Sequence, residues 1–79
     1  MKPPIQAKNA KQPLGLTVAE AECIREYINQ GCQKLAAREL NISLNTVYTL
    51  MKRARIRTGI QSQIHLLVLF DRADPKRIS

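Results

Sequence analysis

The run LAARELNISLNTV, from Leu35 to Val47, decides how this chain folds. Leu35, Ala36, Ala37 and Leu40 have the spacing of a short amphipathic helix from about Gln33 to Leu40, with these four side chains turned inward. Cys32 stands at its N-cap, a weaker cap than Ser or Thr. Asn41-Ile42 makes a tight turn. Ser43 caps a longer helix that runs to about Thr58, where Gly59 ends it.

Toward the N-terminus, Thr17-Val18-Ala19-Glu20 has the form of a capping box, in which hydroxyl and carboxylate each satisfy a backbone N–H of the other's residue. Cys23, Ile24, Tyr27 and Ile28 then mark the apolar face of a first helix, and Gly31 stops it. Toward the C-terminus, Ser62 caps a fourth helix that reaches about Arg72, and Asp74-Pro75 closes the ordered part. Pro3, Pro4 and Pro13 mark residues 1–14 as a flexible basic arm. Residues 15–73 form one all-α domain of four helices, and residues 74–79 a tail.

Length and composition narrow the functions. Seventy-nine residues make one small domain, and a chain of this size buries only about 60% of the surface it exposes unfolded. A two-lobed active site does not fit. Only 4% of residues are aromatic, so aliphatic side chains must build the core. The net charge of +7 and pI near 10.0 suit a polyanionic partner. The longest apolar run, Leu66 to Phe70, is far short of the ~20 residues that span a bilayer. No membrane contact is expected. Cys23 and Cys32 are expected as reduced thiols, which fits a cytoplasmic protein. His65 lacks a second ligand at metal spacing, and no catalytic set or Gly-rich phosphate loop is present. The chain is therefore expected to be no enzyme and to use no metal or cofactor.

The third helix carries the chemistry. It holds Lys52, Arg53, Arg55 and Arg57 and no acidic residue. At about 100° per residue, Val47, Leu50, Met51, Ala54 and Thr58 share one face. Asn45, Tyr48, Thr49, Lys52 and Ile56 share the opposite face, flanked by Arg53 and Arg55. Amide, phenol, hydroxyl and ammonium groups suit base edges in a major groove, and guanidinium groups suit phosphates. A short helix, a turn and a longer basic helix make a helix-turn-helix arrangement.

Leu16-Thr17 with Glu20, Leu35-Ala36-Ala37, Leu40-Asn41-Ile42-Ser43 and Thr46-Val47, followed by Arg57, Gly59-Ile60 and Ser62, resemble the LuxR-type, or GerE-like, DNA-binding domain. The resemblance covers roughly residues 16–70. It implies a four-helix domain whose third helix reads DNA and whose fourth dimerises, and it places base contacts on Tyr48, Thr49 and Lys52. The chain departs from the family pattern at Gln30, Ala36, Tyr48, Leu50, Ala54, Thr58 and Gln63, as a divergent member would.

Together these features predict a transcriptional regulator that binds double-stranded DNA as a homodimer on an inverted repeat. Base contacts fall to Asn45, Tyr48, Thr49 and Lys52. Phosphate contacts fall to Lys34, Ser43, Arg53, Arg55 and Arg57, with Lys2, Lys8 and Lys11 of the arm adding to them. In the fourth helix Ile64, Leu67 and Val68 are assigned to the core, and the surplus apolar face of Leu66, Leu69 and Phe70 to the dimer interface. RNA polymerase is a further candidate partner, and a bacterial nucleoid-associated location follows. The chain is expected to be either a stand-alone regulator or a terminal fragment of a longer one. The rival reading is an interaction protein that pairs with a full-length LuxR-type regulator.

Overall fold

Thr17 and Glu20 form the expected capping box: Glu20 N–H donates to Thr17 Oγ1 at 3.2 Å, and Thr17 N–H donates to Glu20 Oε1 at 3.1 Å. It opens α1, Val18–Gln30. The computed structural model describes residues 12–74. After a 3-10 turn at Pro13–Gly15 and α1 come α2 (Gln33–Leu40), α3 (Leu44–Thr58) and α4 (Gln63–Ala73). No strand occurs among the described residues. No described helix is long and apolar enough to cross a membrane.

Local chemistry sets the helix ends. Cys32 caps α2 by accepting from Leu35 N–H through its sulfur at 3.4 Å, and Ser43 and Ser62 cap α3 and α4 through their hydroxyls. Between α2 and α3, Asn41 takes the left-handed conformation at φ 60°, which Asn tolerates better than most residues. Asn41 N–H then bonds Arg38 O at 3.1 Å and Ile42 N–H bonds Ala37 O at 3.0 Å. This pair of bonds satisfies the last α2 carbonyls and reverses the chain within three residues. Gly59, at φ 76°, ends α3 in the same left-handed region.

The core lies where α1 packs against α2, α3 and α4. Leu16, Ala21, Cys23, Ile24, Ala37, Val47, Met51, Ala54, Leu66 and Phe70 form it. Alanines at 21, 36, 37 and 54 are buried, and their small side chains let the helices approach closely. The expected α3 core stripe is present: Val47, Met51 and Ala54 are fully enclosed, and Leu50 and Thr58 are half-buried. Cys23 donates its S–H toward Val47 O at 4.0 Å. Burial pushes its thiol up from 9.0 to about 11, so at neutral pH it is a protonated core group.

Four expectations need correction. Leu66 and Phe70 are not interface residues; both are 0% exposed. The outer face of α4 carries Ile64 and Val68, at 74% and 45% exposure, while Leu67 and Leu69 are half-buried. The helix is turned by about half a revolution from the expected phase. Leu35 is likewise outside, at 41% exposure, because Ala36 and Ala37 occupy the closest approach. The domain begins before Gly15, since Leu14 packs against the core. It also extends to Asp74, which is wholly buried and not part of a tail. Residues 1–11, with Lys2, Lys8 and Lys11 of the arm, lie outside the described residues, as do residues 75–79.

Asp74 is buried because Arg25 holds it. Arg25 Nε and Nη2 reach Asp74 Oδ2 and Oδ1 at 2.7 and 3.2 Å. The same Nη2 donates to Gln12 Oε1 at 3.0 Å, and the guanidinium sits 5.5 Å from the Phe70 ring centroid. One side chain of α1 thus clasps both ends of the described chain. Removing one partner of a buried pair strands the other charge. Asp74→Ala should therefore cost about 3 kcal/mol in urea unfolding, against less than about 0.5 for Glu22→Ala on the surface. Equal midpoints for the two variants would dismiss the clasp.

Candidate nucleic-acid interface

The exposed side of α3 joins most of the expected site. Asn45, Thr49, Lys52 and Arg53 are exposed, as are Tyr48 at 49% and Ile56 at 71%. The core face of Val47, Met51 and Ala54 fixes this orientation. Ser43, at the N-terminus, presents α3 directly after the tight turn.

Hydrogen bonds refine what each group offers. Thr49 Oγ1 donates to Asn45 O at 3.0 Å, so its hydroxyl proton is spent within the helix and the methyl is the group left for apolar contact. Ser43 Oγ accepts from Thr46 N–H at 3.1 Å and shares a 2.9 Å bond with Thr46 Oγ1. Its expected phosphate contact must compete with this cap. Asn45, Tyr48, Lys52 and Arg53 keep their polar heads at the surface of a helix that carries no acid.

The basic residues divide into three situations. Arg53 is exposed. Arg55 is half-buried: Nη1 donates to Gln61 O at 3.5 Å, and Nε is enclosed without a hydrogen-bond partner. Arg57 is drawn back onto the protein, with Nε 2.9 Å from Glu20 Oε1. The expected phosphate contact at Arg57 would have to share its guanidinium with this carboxylate, although the side chain remains 47% exposed. Its guanidinium compensates a carboxylate only 1% exposed, which burial would otherwise penalise.

Lys34 is exposed on the first turn of α2. There Gln33 Nε2 donates to Gln63 Oε1 at 3.4 Å, and Gln63 Nε2 donates to Tyr27 Oη at 2.9 Å. This network seats the α2 N-terminus beside the start of α4. Lys34 therefore lies at the far end of α2 from Ser43, about 12 Å along an eight-residue helix.

Two features escaped the sequence reading. A cleft of about 480 Å3 is lined by Lys52, Arg55, Ile56, Gly59 and Gln61. A shallower apolar groove of about 360 Å3 runs between α1 and α4, lined in part by Tyr27, Ile28, Ile64, Leu67 and Val68. The groove has no local motif, because it joins α1 to α4, whereas the cleft lies within the single stretch 52–61 at the end of α3 and the loop after it. The described residues hold no group of three His, Cys, Asp or Glu side chains able to bind a metal. No protein-family model, curated protein or solved structure matches the chain.

The two outer arginines should respond differently to deletion. Arg57→Ala leaves Glu20 buried without its cation and should lower stability by about 1–3 kcal/mol. Arg53→Ala should stay within about 0.5 kcal/mol. Chemical unfolding of both variants checks this, and an Arg57→Ala protein as stable as wild type would return Arg57 to the free surface.

Proposed function

We propose that this protein is a transcriptional regulator of the LuxR type that binds double-stranded DNA, with α2 and α3 as a helix-turn-helix and α3 in the major groove. One observation carries the reading. The exposed face of α3 combines base-reading groups with cations, has no acidic residue, and follows directly on a three-residue turn. A 15-residue helix is about 22 Å long and meets only part of one groove turn. Tyr48, Asn45 and Lys52 supply polar contacts to base edges, and Thr49 supplies a methyl for thymine. Arg53 and Arg55 meet the phosphates, whose contacts set orientation and most of the affinity.

A second copy doubles a readout that one short helix leaves small. Ile64 and Val68, not Leu66 and Phe70, offer the apolar surface for it, in the groove along α1. A two-fold axis across α4 would bury this patch against itself and set two α3 helices on half-sites about one DNA turn apart.

Selection of bound sites from a random duplex pool tests the reading, together with a salt titration. Binding should weaken steeply with salt, with a log–log slope near −0.9 per phosphate contact, and Arg53→Ala should flatten it by about one unit. Lys52→Ala should relax preference at one base position by about 1–3 kcal/mol. Salt-insensitive binding, or no enriched site at all, would reject DNA readout by α3. Ile64→Lys with Val68→Glu should leave the monomer helical by circular dichroism and abolish cooperative binding to a two-half-site duplex. Unchanged cooperativity in that double variant would remove α4 from the interface.

A further inference from the structure

Ile56 is out of character with the outer face of α3. It is a large aliphatic side chain, 71% exposed, in line with Asn45, Thr49 and Lys52. Two hollows meet at it: the cleft of about 480 Å3, and a smaller one of about 210 Å3 lined by Arg53, Ile56 and Arg57. Its side chain stands as a ridge between them. Single exposed apolar residues are ordinary on protein surfaces. This one is set apart by the cations around it. Lys52 and Arg53 lie one turn before it and Arg57 beside it, and no acidic residue lines either hollow. A wholly apolar partner would strip water from these cations and give nothing in return. The partner that suits the ridge is apolar at one point and negatively charged around it.

The major groove of DNA has this arrangement. There the C5-methyl of thymine is an apolar group between two walls of phosphates. Spacing along α3 selects the base that Ile56 meets. Thr49, Lys52 and Ile56 stand at i, i+3 and i+7, within about 60° of one another around the helix. Thr49 spends its hydroxyl proton on Asn45 O at 3.0 Å, so its methyl is what it offers a base. Seven residues further on, Ile56 lies about 10 Å along the axis, or about three base pairs at ~3.4 Å each. Lys52 falls between the two.

Resting on the reading that α3 lies in the major groove, we propose that Ile56 is a specificity-determining residue that reads the methyl group of a C5-methylated pyrimidine at the edge of the half-site. Its side chain packs against that methyl group, while Lys52 and Arg53 face the charge around it. Thymine belongs to this ligand class, and so does 5-methylcytosine, whose methyl group occupies the same place on the ring. Uracil and cytosine lack the methyl and leave the Ile56 surface uncovered. One α3 then reads two methyl groups about three base pairs apart, with the Lys52 contact between them. The last turns of the helix, which charge alone assigns to phosphates, become part of base readout.

Site selection with the full chain locates the half-site, and each thymine in it is then replaced in turn by deoxyuridine. Binding of wild type, I56A and I56V to these duplexes is measured by fluorescence anisotropy. At one edge position deoxyuridine should weaken wild-type binding about fourfold, the value of one buried methyl group. A 5-methylcytosine paired with guanine there should bind about fourfold better than unmethylated cytosine. Both differences should vanish in I56A and persist in I56V. The deoxyuridine effect at the Thr49 position, about three base pairs away, should stay in all three proteins, which shows that I56A still folds and docks. If duplexes bind but no position loses its methyl effect in I56A, the Ile56 assignment falls while DNA binding stands. Equal weakening of every duplex by I56A, with discrimination kept, puts Ile56 on sugar or phosphate and overturns the base contact. A half-site with no methyl preference at its edge overturns it as well. If wild type enriches no site and binds no duplex, the DNA reading fails and the assignment with it.

Discussion

The carboxylate of Glu20 is the constraint on which the arrangement of α3 depends. It is almost wholly buried, and a buried charge persists only with partners. Two converge on Oε1: the Thr17 N–H that starts α1 and the Arg57 guanidinium from the last turn of α3. A helix cap is a local device. Here it also ties the first turn of one helix to the final turn of another, 37 residues away. Val47 and Met51 hold the face of α3 toward the core, and Glu20 holds its end. Together they fix which side chains meet solvent, and so determine that Asn45, Tyr48, Thr49 and Lys52 form the outer face.

The second ion pair does similar work for the chain ends. A domain this small has few large apolar residues to bury; Phe70, Ile24, Met51 and Leu66 are the largest of them. Each contributes about 1.5–3 kcal/mol when fully enclosed, which leaves little margin against the entropy of ordering the backbone. Arg25 joins α1, the end of α4 and Gln12 with one guanidinium that also lies over Phe70. The buried Asp74 is placed at i+4 from Phe70 and i+8 from Leu66. Leu66 and Phe70 on α4 and Asp74 at its C-cap therefore face the same way, and this side is the one turned to the core.

The choice of that side explains where the sequence was readable and where it was not. Caps act within three or four residues, so Thr17, Cys32, Ser43, Ser62 and the left-handed positions at Gly31 and Gly59 mark helix ends directly. The limits of α2 and α3 follow from them. The phase of α4 does not. Six of the seven residues from Ile64 to Phe70 are apolar, so two opposite faces look equally suited to a core. The choice between them rests on Arg25, 49 residues from Asp74, and no periodicity encodes such a partner. The α3 stripe was readable because polar residues interrupt it regularly. The commitment of Arg57 to Glu20 was not, for the same reason as Asp74.

Charge counted along a sequence and charge available to a partner are therefore different quantities. Four basic residues crowd the second half of α3, but they do not form one uniform patch. Arg57 compensates an internal carboxylate. Arg55 is half-buried and aimed into a cleft. Only Lys52 and Arg53 stand freely exposed. Each phosphate neutralised adds about 0.9 to the salt slope, so on the proposed reading one copy of α3 would offer two such contacts, Arg53 and Arg55, rather than four. With so few cations per copy, the proposed reading gives modest affinity for one half-site, so a paired assembly would gain most from its second half. On that reading the exposed apolar face of Ile64 and Val68 would matter more to a domain whose own fold has already claimed part of its positive charge.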